Sequence, residues 1–320
     1  MNDEQAALRD SVAAFFGTGA EWSRLTGELG LTALAIGEEH GGFGATLAEV
    51  GIVLEEAGAA LLTSPLLATT VAGLALDPSL PAAAALLPAL AAGDLIGAVA
   101  LDGTCTARPD GDAFVLDGSF AHVLDASQAG VVLVSDGSAL YAVTDPDIRS
   151  QPTLDQTRDQ GTLVLWQSPG RLVSRDAAYA GDLLHAALAA ESVGVARASL
   201  RLTVEHLRTR EQFGVPLATF QALRHRVADL HVQLEQAMSS VWYAMRAHGT
   251  PSFATAAPLA KLIACEAAWT VTRASIQLLG GIGFTWEHDA HRYLKRATAN
   301  RLLAGDPVTL RRLLLARADL

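Results

Sequence analysis

The sequence predicts a mostly helical chain with a small β-domain between two helical domains. Three observations predict it. Apolar residues Leu223, Val227, Leu230, Leu234, Met238 and Val241 recur every three or four positions and form one continuous stripe on a long helix. A stripe of that length argues for a helical bundle in the C-terminal part. From Leu95 to about Arg171 the texture changes to short β-rich runs (LIGAVAL, AFVLDGSF, GVVLVS, ALYAVT, GTLVLW), divided by Asp-Gly, Pro-Asp and Ser-Asp-Gly turn signals. Before them, residues 3 to about 95 read as short helices. The expected domains are therefore 1–94, 95–172 and 173–320.

Taken in order, Ala7, Leu8, Val12 and Phe15 share one helical face, and Trp22, Leu25 and Leu29 share another, with Gly30 as its C-cap. EEHGGFGA, from Glu38 to Ala45, is a glycine-rich loop whose plain reading is a tight turn between helices, its other reading being a loop that leads towards a ligand pocket, and helices resume through Leu54, Leu61 and Leu66. The middle runs follow. After Asp176 helices continue to the end. HLRTREQFG interrupts them at Gly214 and Pro216, where the proline is expected to start the next helix. AHGTPS separates the second and third helices, Gly280, Gly281 and Gly283 close the third, and TLRRLLLARADL forms a last amphipathic segment.

Composition narrows the function. A net charge of −11 argues against a nucleic-acid partner, because there is no basic field to release counterions. Cys105 and Cys265, the two cysteines, lie in different domains and suggest neither a disulfide framework nor a cysteine zinc site. The default setting is reduced and cytoplasmic, and the acidic, polar start MNDEQAALRDSV is unlike a signal peptide. The apolar stretch Ala59 to Leu101 is broken by Pro65, Asp77, Pro78, Pro81, Pro88 and Asp94. It falls short of the uninterrupted run of about 20 residues that a membrane span needs. His288 and His291, three apart, lack a third metal ligand. Ser192 and Ser199 lack the histidine and carboxylate of a serine hydrolase.

Two long stretches carry a family resemblance. REQFGVPLATFQALRHRVADL (210–230) and IQLLGGIGFTWEHDAHRYLKRA (276–297) resemble the C-terminal helical domain of the acyl-CoA dehydrogenase family, and ELGLTALAIGEEHGGFGA (28–45) resembles its first domain. The resemblance implies a helical N-domain, a small β-barrel-like middle domain and a C-terminal four-helix bundle. It also implies α,β-dehydrogenation of an acyl-CoA thioester with FAD, and an electron-transfer flavoprotein as acceptor. That chemistry needs a carboxylate against the α-carbon, hydrogen bonds to the thioester carbonyl and a flavin held flat on the acyl chain. In this family the R-x-x-F-G and Q-x-x-G-G motifs reach the FAD held by a neighbouring subunit. Here they are Arg210, Gln212, Phe213, Gln277 and Gly281. An arginine forks onto phosphate oxygens, and glycine lets backbone approach a cofactor closely. GGIG is a poor dinucleotide fingerprint because no strand precedes it. Trp286, Glu287 and Arg292 are expected at a subunit interface.

Other parts depart from the pattern. Family members usually carry a T-E-P-x-x-G-S-D loop, reduced here to LDGTCTARPDGDAF. A following G-x-K-x-x-I-T segment reads GSFAHVLDASQA, with Phe120 and Leu124 at the lysine and threonine positions. Leu124 cannot donate a hydrogen bond to a flavin. The base glutamate of the turn before the last helix falls on Gly305, and the alternative position, near Leu184, is not acidic either. Asp306 and Glu191 are the remaining candidate catalytic carboxylates. Their plainer readings are a helix cap for Asp306 and a partnered structural carboxylate for Glu191.

What is kept is what a subunit lends to its neighbour's FAD; what is lost is what it uses on its own flavin and substrate. Random decay is not expected to divide the motifs this way. The division resembles the non-catalytic β-type subunit of heteromeric acyl-CoA dehydrogenases of actinobacterial steroid side-chain degradation, which pairs with a homologous α-type subunit in a heterotetramer of two copies of each. Two alternatives stay open: a self-sufficient homo-oligomeric enzyme with Asp306 or Glu191 as base, and a flavin-free scaffold or regulatory protein of the same fold.

Overall fold

The computed structural model describes residues 1–17, 21–144 and 146–318. The fold is mostly helical with a curled β-sheet in the middle of the chain. It divides into two compact units: one of Met1–Gly17, Gly51–Leu62 and His185–Leu320, the other of Thr18–Val50 and Thr63–Leu184.

The second unit holds helices α2 (Trp22–Gly27), α4 (Leu66–Ala75) and α5 (Pro81–Ala92), the start of α3 (Leu47–Ala59), and a seven-stranded sheet. Its strands are β1 (Gly97–Ala100), β2 (Gly103–Asp110), β3 (Ala113–Leu124), β4 (Val131–Ser135), β5 (Leu140–Thr144), β6 (Ile148–Ser150) and β7 (Gln160–Ser174). The order is β1-β4-β5-β7-β3-β2, with β6 also on β7; β1 and β4 run parallel and the other pairs antiparallel. The 15-residue β7 reaches both halves, pairing with β3 early and β5 late, so the sheet curls around Leu116, Phe120, Val123, Val132, Val134 and Leu163.

One strand was not legible as such. TCTARPD reads as part of a loop, yet β2 pairs with β3 along its whole length. It is an edge strand exposed over most of its residues, so no apolar alternation marks it. Pro109 is tolerated near its end because an edge leaves one side of the backbone unpaired. The three-residue β6 is too short to announce itself.

The first unit holds α1 (Asp3–Phe16), the later part of α3, and α6 (Ala177–Thr209) from His185 onward. It also holds a hairpin of β8 (Glu211–Gln212) and β9 (Val215–Pro216), then α7 (Gln221–Ala247), α8 (Phe253–Leu279), α9 (Ala290–Leu302) and α10 (Pro307–Arg317). The expected stripe on α7 is real: Leu230, Leu234 and Val241 are buried, while Leu223, Val227 and Met238 are half-buried. Pro216 does not start α7. It pairs with Glu211 at extended ψ, and the helix begins only at Gln221.

Where α3 meets α6, backbone touches backbone. A Cβ on Gly194 would lie 1.7 Å from the Glu55 carbonyl oxygen, and one on Gly58 would lie 2.1 Å from that of Glu191. Arg9 and Arg197 flank the buried pair Glu55 and Glu56, at 2.7 Å from Arg9 Nη2 to Glu55 and 2.5 Å from Arg197 Nη2 to Glu56. Among the described residues no helix is long and apolar enough to cross a membrane.

Candidate cofactor-contact site

The REQFG turn is built at the end of α6. Arg210 N–H donates to the His206 carbonyl and the Arg210 carbonyl accepts from Leu217 N–H, both at 2.8 Å, which closes the two-stranded hairpin on the helix. Phe213 (φ +56°) and Gly214 (φ +80°) are consecutive left-handed residues, the backbone of a two-residue type I′ connection. Glycine suits such a turn and phenylalanine does not. Phe213 nevertheless sits there 92 % exposed, touched edge-on by Phe220 at 6.2 Å.

Arg210 is exposed, and no hydrogen bond or ion pair engages its guanidinium among the described residues. Gln212 is exposed too, its amide donating only to the neighbouring Glu211 carbonyl at 2.8 Å. On the QLLGG turn, Gln277 is exposed; its carbonyl accepts from Gly280 N–H, and its side-chain amide makes no hydrogen bond among the described residues. The two nearby glycines contrast. A Cβ on Gly283 would press to 2.8 Å on the Ile276 carbonyl oxygen, so internal packing explains that glycine. A Cβ on Gly281 would meet nothing within 4 Å, and its φ is not left-handed, so nothing inside the chain demands glycine there.

His206 lies in the last turn of α6. It lies half-buried one helical turn before Arg210; burial first, then the positive charges of His288 and Arg210, push its imidazole below the ordinary value. The end of α6 and the segment after α8 thus share one electrostatic neighbourhood. Beyond it stand the exposed rings of Phe284 and Trp286, with Lys295 Nζ 4.5 Å over the Trp286 ring and His291 4.6 Å from it. His288 is not on a helix with His291: it precedes α9, and its Nδ1 accepts from Ala290 N–H at 3.1 Å. Among the described residues no group of three His, Cys, Asp or Glu is placed to hold a metal.

The turn at the expected base position has no carboxylate and an unusual backbone. Ala304 (φ +53°) and Gly305 (φ +100°) are both left-handed. Their carbonyls are held from two helices, Ala304 O by His185 Nε2 at 2.9 Å and Gly305 O by Lys261 Nζ at 2.7 Å. Lys261 is fully buried in α8, and burial pushes its amine below the ordinary lysine value. Asp306 is the N-cap of α10. Its carboxylate accepts from Thr309 N–H at 2.8 Å, and that bond holds it below the usual carboxylate range. Glu191 is 2 % exposed; Oε1 lies 2.7 Å from Arg296 Nη1 and Oε2 2.8 Å from Asn300 Nδ2. Ser192 donates to the Leu188 carbonyl, and none of its hydrogen bonds is to a histidine.

In the other unit, Phe120 and Leu124 both point into the protein. Phe120 is 1 % exposed and packs in the sheet interior between Leu163 and Gly103, where a glycine Cβ would strike its ring at 2.7 Å. Asp125, next to Leu124, lines a cleft of about 430 Å³ together with Ser64, Gln128, Gln151, Thr157 and Asp159. Arg158 also lines it, and Pro152 is the one apolar residue among those that do.

Three residues of these sites escaped the sequence reading: His185, Lys261 and His206. Lys261 had a legible signal, a lone cation inside the apolar helical run AAPLAKLIAC. His185 had none, because its partner, the Ala304 carbonyl, is 119 residues away in the chain.

Residues 183–318 match the family model described as "Acyl-CoA dehydrogenase, C-terminal domain". The chain is 39% identical over 312 residues to acyl-CoA dehydrogenase IpdE2 of Mycobacterium tuberculosis, covering 96% of this chain and 90% of that protein. It is 36% identical to acyl-CoA dehydrogenase FadE34 of the same organism over 84% of this chain and 38% of that longer protein. Among solved structures, a variant of the Tcur3481-Tcur3483 steroid ACAD superposes with a TM-score of 0.93 at 30% identity, covering 99% of this chain and 98% of that one. The ChsE4-ChsE5 complex from Mycobacterium tuberculosis shares the fold with a TM-score of 0.89 at 23% identity, covering 100% and 98%. These likenesses run through the helical bundle and the sheet alike, and the chain belongs to the acyl-CoA dehydrogenase family.

Proposed function

We propose that this chain is the non-catalytic β-type subunit of a heteromeric acyl-CoA dehydrogenase, completing the FAD site of a homologous α-type partner. The observation that carries the reading is the split between its two sets of motif residues. The side chains of Arg210, Gln277 and Phe213 face outward, those of Arg210 and Gln277 without a hydrogen bond among the described residues, and a Cβ on Gly281 would meet open space, whereas Phe120 and Leu124 are consumed by the core and the base position is the glycine of a clamped turn. FAD is the family's cofactor, and when bound it supplies the acceptor for the hydride of an acyl-CoA thioester.

The chain's own groups do the rest of what is asked of such a subunit. Arg210 offers an unpaired guanidinium to a diphosphate. Gln277 offers amide donors, and Gly281 leaves room for a cofactor to lie against backbone. Phe213 caps the hairpin with an apolar face that association would cover. Neither Asp306, spent on a helix cap, nor Glu191, locked to Arg296 and Asn300, is placed to take a proton; the base is the partner's. The likenesses to the steroid ACAD and to the ChsE4-ChsE5 complex support a heteromeric enzyme of steroid acyl-CoA thioesters, and the family resemblance implies an electron-transfer flavoprotein as acceptor.

The test is an absorbance spectrum of the chain alone and after co-expression with α-type homologues encoded nearby. A colourless chain that yields a yellow complex with one FAD per pair of unlike subunits is expected, with acyl-CoA reducing that flavin. One FAD per chain in the isolated protein would overturn the reading in favour of a homomeric enzyme, and a colourless complex would favour a scaffold.

A further inference from the structure

We infer that Arg224 is a second diphosphate contact beside Arg210, held in place by the loop that joins α6 to α7. The inference rests on the partner-FAD reading of Arg210 and adds a residue outside the R-x-x-F-G motif. Hydrogen bonds draw the two arginines onto one short turn, Leu217–Thr219. The Arg210 carbonyl accepts from Leu217 N–H at 2.8 Å, and the carbonyl of the next residue, Ala218, accepts from Arg224 Nε at 2.7 Å. Arg224 stands in the first turn of α7, where its backbone N–H donates to the Phe220 carbonyl at 3.2 Å. The Phe220 ring meets that of Phe213 at 6.2 Å. Arg210, Phe213 and Arg224 therefore belong to one cross-linked loop.

The bond at Nε decides what Arg224 can do. A guanidinium carries five N–H donors in a planar fork. Giving the Nε–H to a carbonyl fixes the plane of the group and leaves its Nη nitrogens over; no other hydrogen bond or ion pair engages them among the described residues. Arg224 is exposed, as is Arg210. Glu211 is the one carboxylate between residues 210 and 228, and it makes no ion pair among the described residues. Two cations without a counter-charge thus share one turn. A dinucleotide diphosphate, with negative charge on two neighbouring phosphates, matches them both. The tether also means that Arg224 loses less side-chain freedom on binding than an untied surface arginine would.

Glutamine separates the tether from the cation, because its Nε2 stands as many bonds from Cα as the arginine Nε. Arg224→Gln keeps a donor for the Ala218 carbonyl and removes the charged fork, whereas Arg224→Ala removes both. The measurement is the FAD dissociation constant of the complex co-expressed with the α-type partner, from the flavin fluorescence released on dilution at low and at high NaCl. Arg224→Gln should weaken FAD about tenfold or more at low salt and flatten the salt dependence, as Arg224→Ala should, while the subunits still assemble. Native affinity in Arg224→Gln overturns the inference, and a loss confined to Arg224→Ala makes Arg224 a loop tether. Failed assembly of Arg224→Gln with its partner overturns it too, assigning the cation to an acidic group of the partner. Arg210→Gln keeps the two ideas apart. Weaker FAD in Arg210→Gln with native affinity in Arg224→Gln sinks the role of Arg224 alone. FAD binding indifferent to both substitutions, or a complex without flavin, sinks the partner-FAD reading with it.

Discussion

Lys261 donates from the interior of α8 to the carbonyl of Gly305, 2.7 Å away, and so fixes the turn at the expected base position of the family with a cation instead of a carboxylate. His185 holds the preceding carbonyl from α6. A glutamate placed at 305 would have to adopt φ near +100°, a conformation that side-chain-bearing residues avoid. The departure from the family pattern is therefore built into the backbone as well as the side chain.

Lys261 gives the fold a measurable pH dependence. Burial lowers its folded-state pKa below the ordinary 10.5, so the unfolded chain holds the proton more tightly. Stability should then rise with pH from the folded value up to 10.5 and level off beyond it. Urea denaturation between pH 7 and pH 10 should show that rise in the native chain and lose it in Lys261→Met; an unchanged slope in the variant would assign it elsewhere.

Glu191 and Arg296 form a buried pair with both side chains almost fully enclosed. Arg296→Met leaves the buried Glu191 carboxylate without its cation and should cost about 3–5 kcal/mol in chemical denaturation. Glu191→Gln should destabilise as well. A Glu191→Gln chain of native stability whose complex no longer reduces its flavin would instead make Glu191 the base.

Asp306 acts through α10. Its depressed folded pKa means that the cap's contribution is fully present above the ordinary 3.8 and is lost as pH falls through the folded value. Asp306→Ala should lower the thermal midpoint at neutral pH, and Asp306→Asn, which still caps, should keep most of it. Dehydrogenase activity of the assembled complex should be the same in both.

Two glycines should separate fold from function. Gly194→Ala forces a Cβ into the Glu55 carbonyl and should destabilise the helical unit, seen as a lower denaturation midpoint. Gly281→Ala enters open space, so the isolated chain should unfold at the same urea concentration as the native one. The complex carrying it should retain less FAD after gel filtration.

The parts of the fold that the sequence made legible are those with local signals. The α7 stripe and the turn glycines announce themselves because helix period and backbone sterics act over a few residues. The edge strand β2 and the late start of α7 did not, because one has no buried face and the other depends on Pro216 pairing with Glu211 across a hairpin. The same holds at the site. Arg210, Gln212, Phe213, Gln277 and Gly281 were readable as motifs, and the lack of a carboxylate at Gly305 was readable from its position.

The sequence by itself determined the family, the helical and β segments, and which motif residues are present or replaced, since these depend on residue type and spacing. Only the tertiary structure decided that the side chains of Arg210 and Gln277 make no hydrogen bond among the described residues, that Gly281 faces open space, and that Phe120 is spent on the sheet core. It alone placed Glu191 against Arg296 and Lys261 under Gly305, 105 and 44 residues apart in the chain. Burial and partnership set what a charged or polar group can do, and both are created by chain segments that no local pattern connects.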